Sequence, residues 1–484
     1  MYTNKLNCSK CFVFLCASFW AVLAMAETST IQAKATAPTA ISVYKKTKKN
    51  NDEKSSATIE FDLKAISYAE ASSVDSNSQQ QVQIGFNYKK TGTFFSETNL
   101  ILGSFSEPNS VYYAFPEAYV GYGSSKNNLT IGRKKENLSF VDSFFNLGLM
   151  QSNFTNDNIN FLEGGLTGIS GQLSQGGFGI IAAFMPIFIP NQGPQIKTED
   201  GKAITSNRWA QQPPSKFRIG SEDKNINYVT RDYKLAELMS NSGYMLHLYA
   251  GQNNTQRNIL TATYAKKPIN QIALSRDTFS DISNFEGYVY LSPQVLFHEV
   301  QALDLNLDYE NIKTTLSYLA DQPQNKVAVG SDTIQTLNPL NISSFFISLD
   351  LSKSFGRKFE IYMGGASVSG GEIKDLNSQK QESATALAAS RTLFKKPIRV
   401  GLKNELFFVA NNAVETDLMM TYDQELKGSL LSVQIKYSPF KSTKLSLGAD
   451  VIGVENELPS SLQGNYLDQN KANDRFFAGV NYAF

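Results

Sequence analysis

From Ala57 to the terminal Phe484, apolar side chains recur at every second position in segments of about ten residues, with turn residues between them. Ile59, Phe61, Leu63 and Ala65 share one face, against Glu60, Asp62 and Lys64. Val82, Ile84, Phe86 and Tyr88 oppose Gln83, Gly85, Asn87 and Lys89. The pattern returns at Leu303–Tyr309, Phe345–Leu351, Leu431–Tyr437 and Leu445–Val451. It closes the chain, where Phe476, Ala478, Val480, Tyr482 and Phe484 oppose Arg475, Gly479, Asn481 and Ala483. A period of two fixes each segment as a β-strand with one apolar and one polar face.

Alternation alone does not say which face meets what, because a soluble sandwich also alternates. The connections supply the rest. Walking back from Phe484, Glu455–Asp474 is long and Ser438–Thr443 short, Asn411–Lys427 long and Phe394–Ile398 short. Gly370–Thr385 is long and Phe355–Lys358 short, Asp321–Ile342 long and Glu310–Lys313 short. Long outer loops alternating with short periplasmic turns are the plan of a transmembrane antiparallel β-barrel. The expected fold is all-β, with about 16–18 strands over 57–484 and both termini on the periplasmic side. Sixteen applies if a hairpin within 242–300 leaves the wall. Barrels of either size enclose water rather than a packed interior.

The other end of the chain fits this compartment. Lys5 and Lys10 precede an apolar stretch from Cys11 to Ala26 that ends in Ala24-Met25-Ala26. A charged start, a short apolar core and a small-x-small end predict a signal peptide over 1–26. All three cysteines, Cys8, Cys11 and Cys16, lie in it, so the exported chain has no disulfide or thiol chemistry. Residues 27–56 are polar, carry Lys45, Lys46, Lys48 and Lys49, and read as a periplasmic lead-in. Without Lys5 and Lys10, 43 basic residues face 44 acidic ones, a balance that gives no footprint for nucleic acid. The longest later apolar run, Phe178–Pro190, contains Pro186 and is too short to cross a membrane as a helix.

Glu117-Ala118-Tyr119-Val120-Gly121 is joined by a short turn to Leu129-Thr130-Ile131-Gly132-Arg133. This resembles the general porin family of Gram-negative bacteria, in which a strand reading E-A-[YF]-V-G is joined by a tight turn to one reading L-T-L-G-R; here the match falls on the fourth and fifth expected strands. Pro116 stands where that family often has arginine, and the turn lacks the usual glycine. The resemblance implies an outer-membrane barrel for passive diffusion of small hydrophilic solutes and ions, assembled as a homotrimer. It also implies that the loop after Arg133 folds into the lumen. The closing strand with its terminal aromatic resembles that of bacterial outer-membrane proteins, which implies recognition by the insertion machinery through Phe484.

Segment 136–163 follows Arg133 and carries Phe140, Phe144, Phe145, Leu147, Leu149 and Met150, more apolar bulk than a solvated loop holds. Its acidic candidates for a constriction are Glu136, Asp142, Asp157 and Glu163. The basic candidates on the facing wall are Lys64, Lys89, Arg133 and Lys134. Opposed charges would set a transverse field that orients dipolar solutes. Arg133 shares the lipid phase of Leu129 and Ile131 but sits at a strand end, where a bulge can re-aim it, so the pore residue is either Arg133 or Lys134. His247 and His298 are the only histidines, and no Ser/Asp arrangement is recognisable beside either, so neither an enzyme nor a metal or cofactor site is expected. Two other readings stay open: a sugar- or anion-selective channel of the same fold, and a surface adhesin acting through its long loops.

Overall fold

The computed structural model describes residues 54–484 except 71–77, 107–109, 194–195, 206, 211–214, 220–221, 232–234, 253–257, 282–285, 331, 381–389 and 456–464. The expected signal peptide and nearly all of the lead-in lie outside the described residues. Lys54–Ser56 belong to the first strand, Lys54–Tyr68, so the wall starts slightly before Ala57.

Eighteen strands form one antiparallel sheet. The sheet closes on itself, because Lys54–Tyr68 pairs with Arg475–Ala483 from Glu60↔Ala483 to Tyr68↔Arg475. Closure leaves no free edge, which is what lets strands cross lipid without unsatisfied backbone groups. The apolar phase points outward: Ile59, Leu63, Leu303, Phe345 and Val480 are each 43–48% exposed on a surface with no protein neighbour. On a closed barrel such a band is the lipid-facing belt of a transmembrane protein.

Several inner-end turns are tight. Gly176-Gly177 and Ala410-Asn411 join their strands with both residues at positive φ, the two-residue turn that matches strand twist. The long outer connections are 135–165, 186–242, 269–296, 325–339, 371–396 and 455–474. Several share a second sheet, in which Glu222–Thr230 runs parallel to Glu286–Gln294, followed by Ala273–Asp281, Thr333–Leu337 and Ile373–Asn377.

The structure corrects two of the expected connections. Asn411–Lys427 is not a loop: Asn412–Asp423 is a wall strand paired on both sides. Its Glu415, Asp417 and Asn412 look loop-like only if charge is read as solvent exposure on both faces. Phe394–Ile398 is not a separate turn; it contains the end of outer connection 371–396. The hairpin Ala273–Asp281/Glu286–Gln294 does leave the wall, yet the count remains eighteen.

Candidate functional site: the barrel interior and segment 136–163

The inner wall divides into two arcs of different chemistry. On one, the inward residues Ile181, Met245, Val300, Leu319, Ile342 and Val368 form one buried apolar cluster, with polar groups such as Thr263, His298, Asp304 and Asp321 buried among the same strands. On the other, strands pair charged or polar side chains across the sheet. Lys403 opposes Asp417, Lys436 opposes Glu415, and Asp62 opposes Asn481. Ser432 donates to Asp450 at 2.6 Å, and Lys89 pairs with Glu97 at 3.1 Å.

Residues of segment 136–163 complete the apolar arc. Leu138, Val141, Phe145, Leu149 and Met150 are buried in the same cluster as the wall residues. Burying such side chains stabilises by about 1.5–3 kcal/mol each. The short helix Phe140–Phe144 begins against a wall carboxylate: Phe140 N–H donates to Asp304 Oδ2 at 2.9 Å. That satisfies one of the orphan donors at a helix start. Thr263 Oγ1 donates to Leu138 O at 2.6 Å, and Asn270 Nδ2 donates to Gly148 O at 2.7 Å. Phe140 and Phe144 stack on each other, with ring centroids 5.3 Å apart, and both meet Phe346 of the wall at 4.9 and 5.1 Å. Arg399 lies over the rings of Phe144 and Phe145 and donates to the Phe144 carbonyl and, through Nε at 3.0 Å, to Thr421 Oγ1.

Beyond the helix the segment makes a hairpin of two ladder pairs, Asn153↔Glu163 and Phe154↔Leu162. Phe154 rests on Tyr112 of the fourth strand, at 5.3 Å. At the tip, Asp157 receives both terminal nitrogens of Arg475, at 2.9 and 3.1 Å. Arg475 Nε donates to Asp450 Oδ2 at 2.7 Å. The segment therefore leaves the wall at the fifth strand, packs its helix on the opposite side, and reaches the closing strand with its tip.

The acidic candidates separate in this geometry. Asp142 is 3% exposed and accepts the N–H groups of Leu149 and Met150 at 2.9 Å each, so both oxygens hold the loop's own backbone. Glu136 pairs with Lys134 at 2.7 Å near the base of the segment. Glu163 accepts from Gln151 Nε2 at 3.0 Å, and burial, with Asp142 nearby, raises its carboxyl. Asp157 keeps 20% of its side chain exposed. Burial would raise it, but the charges of Arg475 and Lys64 outweigh that and hold it well below the ordinary carboxylate range.

The basic candidates separate too. Lys64 Nζ sits 4.4 Å from the centroid of Phe477, on the inner wall beside Arg475. Lys89 is paired with Glu97, which also accepts from Tyr119 Oη at 3.1 Å, so its partner is on the wall and not on the segment. Arg133 is only 7% exposed and fastens the segment's base, donating from Nε to Gly165 O at 3.1 Å and from Nη2 to Ser152 Oγ at 2.8 Å. Gly132 turns it away from lipid: φ is +129°, and a Cβ there would meet Ala118 O at 2.3 Å. The sequence did not single out Arg399, Asp304 or Arg475 for the site. Each lies on an inward phase, which was their only signal.

Asp142 gives a pH prediction. Burial pushes its carboxyl up to about 6 from 3.8, against the lowering by the Leu149 and Met150 N–H groups. A raised acid binds its proton more tightly in the folded state, so its contribution to stability grows as pH falls through 6 towards 3.8. Thermal unfolding of the wild type between pH 7 and 5 should carry this component, and Asp142→Asn should remove it; an unchanged pH slope in the variant contradicts the assignment.

Both histidines are buried. His247 Nδ1 meets Thr263 Oγ1 at 2.7 Å. His298 Nδ1 meets Asp321 Oδ2 at 2.9 Å, and Arg391 from an outer connection reaches the same oxygen at 2.6 Å. Among the described residues, no group of three or more potential metal ligands is present.

Neither a protein-family model nor a curated protein matches the chain. Three similar solved structures are OccK8 (OprE) and OpdQ of Pseudomonas aeruginosa and OccAB4 of Acinetobacter baumannii. OccK8 is 10% identical with a TM-score of 0.44, covering 89% of this chain and 98% of its own. OpdQ and OccAB4 are each 10% identical at 0.44, covering 90% of this chain and 99% of their own. At that distance these likenesses carry no argument, and the fold stands on the strand pairings and the outward apolar belt themselves: a closed, eighteen-stranded transmembrane β-barrel.

Proposed function

We propose that the chain is a channel of the Gram-negative outer membrane, through which small hydrophilic solutes and ions diffuse. The observation that carries this reading is the division of the inner wall. Segment 136–163 covers the apolar arc, and the charged and polar arc is left to line a water path. Lys403, Asp417, Lys64, Asp62, Glu97 and Lys89 are the side chains that would orient passing dipoles. The constriction lies between this arc and the segment, with Lys64 and Asp157 as its opposed candidates, and Asp142 and Arg133 hold the segment in place rather than touch solute. Passage of this kind needs no catalytic group or cofactor. Assembly as a homotrimer, by closed symmetry, and delivery through Phe484 belong to the same proposal.

A second reading, a substrate-selective channel, is favoured by Phe140, Phe144, Phe346 and Tyr362, which group on the inner wall with Lys403 Nζ 5.6 Å from the Tyr362 ring. Swelling of liposomes carrying the refolded chain from Glu27, in neutral sugars of graded size, separates the two. Rates that fall with solute size and never saturate support diffusion. Saturation by one sugar class moves the assignment to a selective channel. No swelling with a folded barrel overturns both.

A further inference from the structure

The hairpin that carries Asp157 has two ladder pairs and no independent stability. Its position must come from its neighbours. Arg475 holds it on the wall side. The hairpin also meets Asn207 and Trp209 of outer connection 186–242, and this stretch does not behave like a surface turn: Asn207, Arg208 and Trp209 are 7–8% exposed.

Each of the three has a definite task. Asn207 Nδ2 donates to Asn156 O at 3.1 Å, and Asn158 Nδ2 approaches Trp209 O at 3.5 Å. Trp209 belongs to one buried apolar cluster with Ile159 of the tip and with Phe394, Leu430, Ile452 and Leu467. Its ring also lies 5.6 Å from the Arg475 guanidinium. Arg208 does not touch the tip. It stacks 3.6 Å from the Tyr68 ring and donates to Asn473 Oδ1 at 2.6 Å, to Ala472 O at 2.9 Å and to Glu70 O at 3.0 Å. It thus ties outer connection 186–242 to the connections after the first strand and before the last.

We propose that Arg208 and Trp209 are positioning residues of the passage: Trp209 presses the tip of segment 136–163 onto Arg475, Arg208 anchors Trp209, and the pair sets the width and steadiness of the opening. This rests on the reading of segment 136–163 as the constriction. The planar guanidinium is needed because it stacks through its face and donates in a fan from its edge, which an ammonium cannot do. An outer loop so fastened is part of the filter rather than a solvated cover.

The test is planar-bilayer recording and neutral-sugar exclusion on the exported chain, with heat-resistant gel migration to verify folding. Arg208→Ala and Trp209→Ala should each admit larger sugars, raise open-channel noise and increase conductance by roughly twofold. Trp209→Phe should stay near wild type, and Arg208→Lys should behave like the alanine variant. Arg231→Ala, in the same connection but in an exposed pair with Asp277, should change nothing. If the alanine variants do not fold, Asn207→Ala, which removes the bond to Asn156, decides by the same readouts. Folded variants that sieve and conduct as wild type overturn the clamp and leave the channel standing. A folded wild type that never conducts overturns the channel itself.

Discussion

Arg475→Ala is expected to destabilise the barrel by about 3–5 kcal/mol, because it leaves the buried carboxylate of Asp450 and the partly buried one of Asp157 without their shared cation. Arg475 is 2% exposed and is held between Asp450 and Asp157, at 2.7 and 2.9 Å. Asp157→Asn should cost far less, since Arg475 keeps Asp450. The two variants should nevertheless share one consequence, release of the hairpin tip. The protein carries its own reporter for that event: of the two tryptophans, only Trp209 follows residues 1–26, the expected signal peptide, and its ring lies 5.6 Å from the Arg475 guanidinium. Urea titration followed by Trp209 emission should show lower midpoints for both variants, with the larger drop for Arg475→Ala. Emission and midpoints equal to wild type would show that the tip is held by something else. The Asp157 carboxyl is held below its ordinary range, so its contribution is present above the unfolded pKa and lost only as pH falls through the lower folded value. The tip contact should therefore survive mild acid.

The barrel was legible in the sequence for a physical reason. Lipid demands an apolar outer phase, and a wet interior permits a polar inner one, so the strands Lys54–Tyr68 and Arg475–Ala483 display their faces plainly. Legibility fails where the interior is not wet. Phe345-Phe346-Ile347 is apolar on both phases, because Phe345 and Ile347 face lipid while Phe346 receives the helix Phe140–Phe144. The alternation gives no hint of that division. It fails again at Asn412–Asp423, whose inward Glu415 and Asp417 have cross-strand partners in Lys436 and Lys403 that cannot be known before the register is. The site was harder still. Asp157 and Arg475 are 318 residues apart, and Asp142 looks like any loop carboxylate until its two backbone donors are seen. Arg133 turns on the φ of one glycine, which the motif around it marks but does not explain.

The most direct test of the proposed channel is to remove the segment proposed to narrow it. Lys134 and Leu166 stand opposite each other on adjacent strands, so residues 135–165 can be replaced by a short Asn-Gly turn without altering the wall's register. The inward side chains Val300, Leu319 and Ile342 then lose their cover, and the barrel should unfold more easily, at about 25 cal/mol for each Å² of apolar surface returned to water. Single-channel conductance of this variant, checked for folding by heat-resistant migration, is the measurement to make. A several-fold rise over wild type, with weaker ion preference and free passage of larger sugars, is the expected result. A folded variant with the same conductance and sieving as wild type would contradict the assignment of segment 136–163 as the constriction of an open passage.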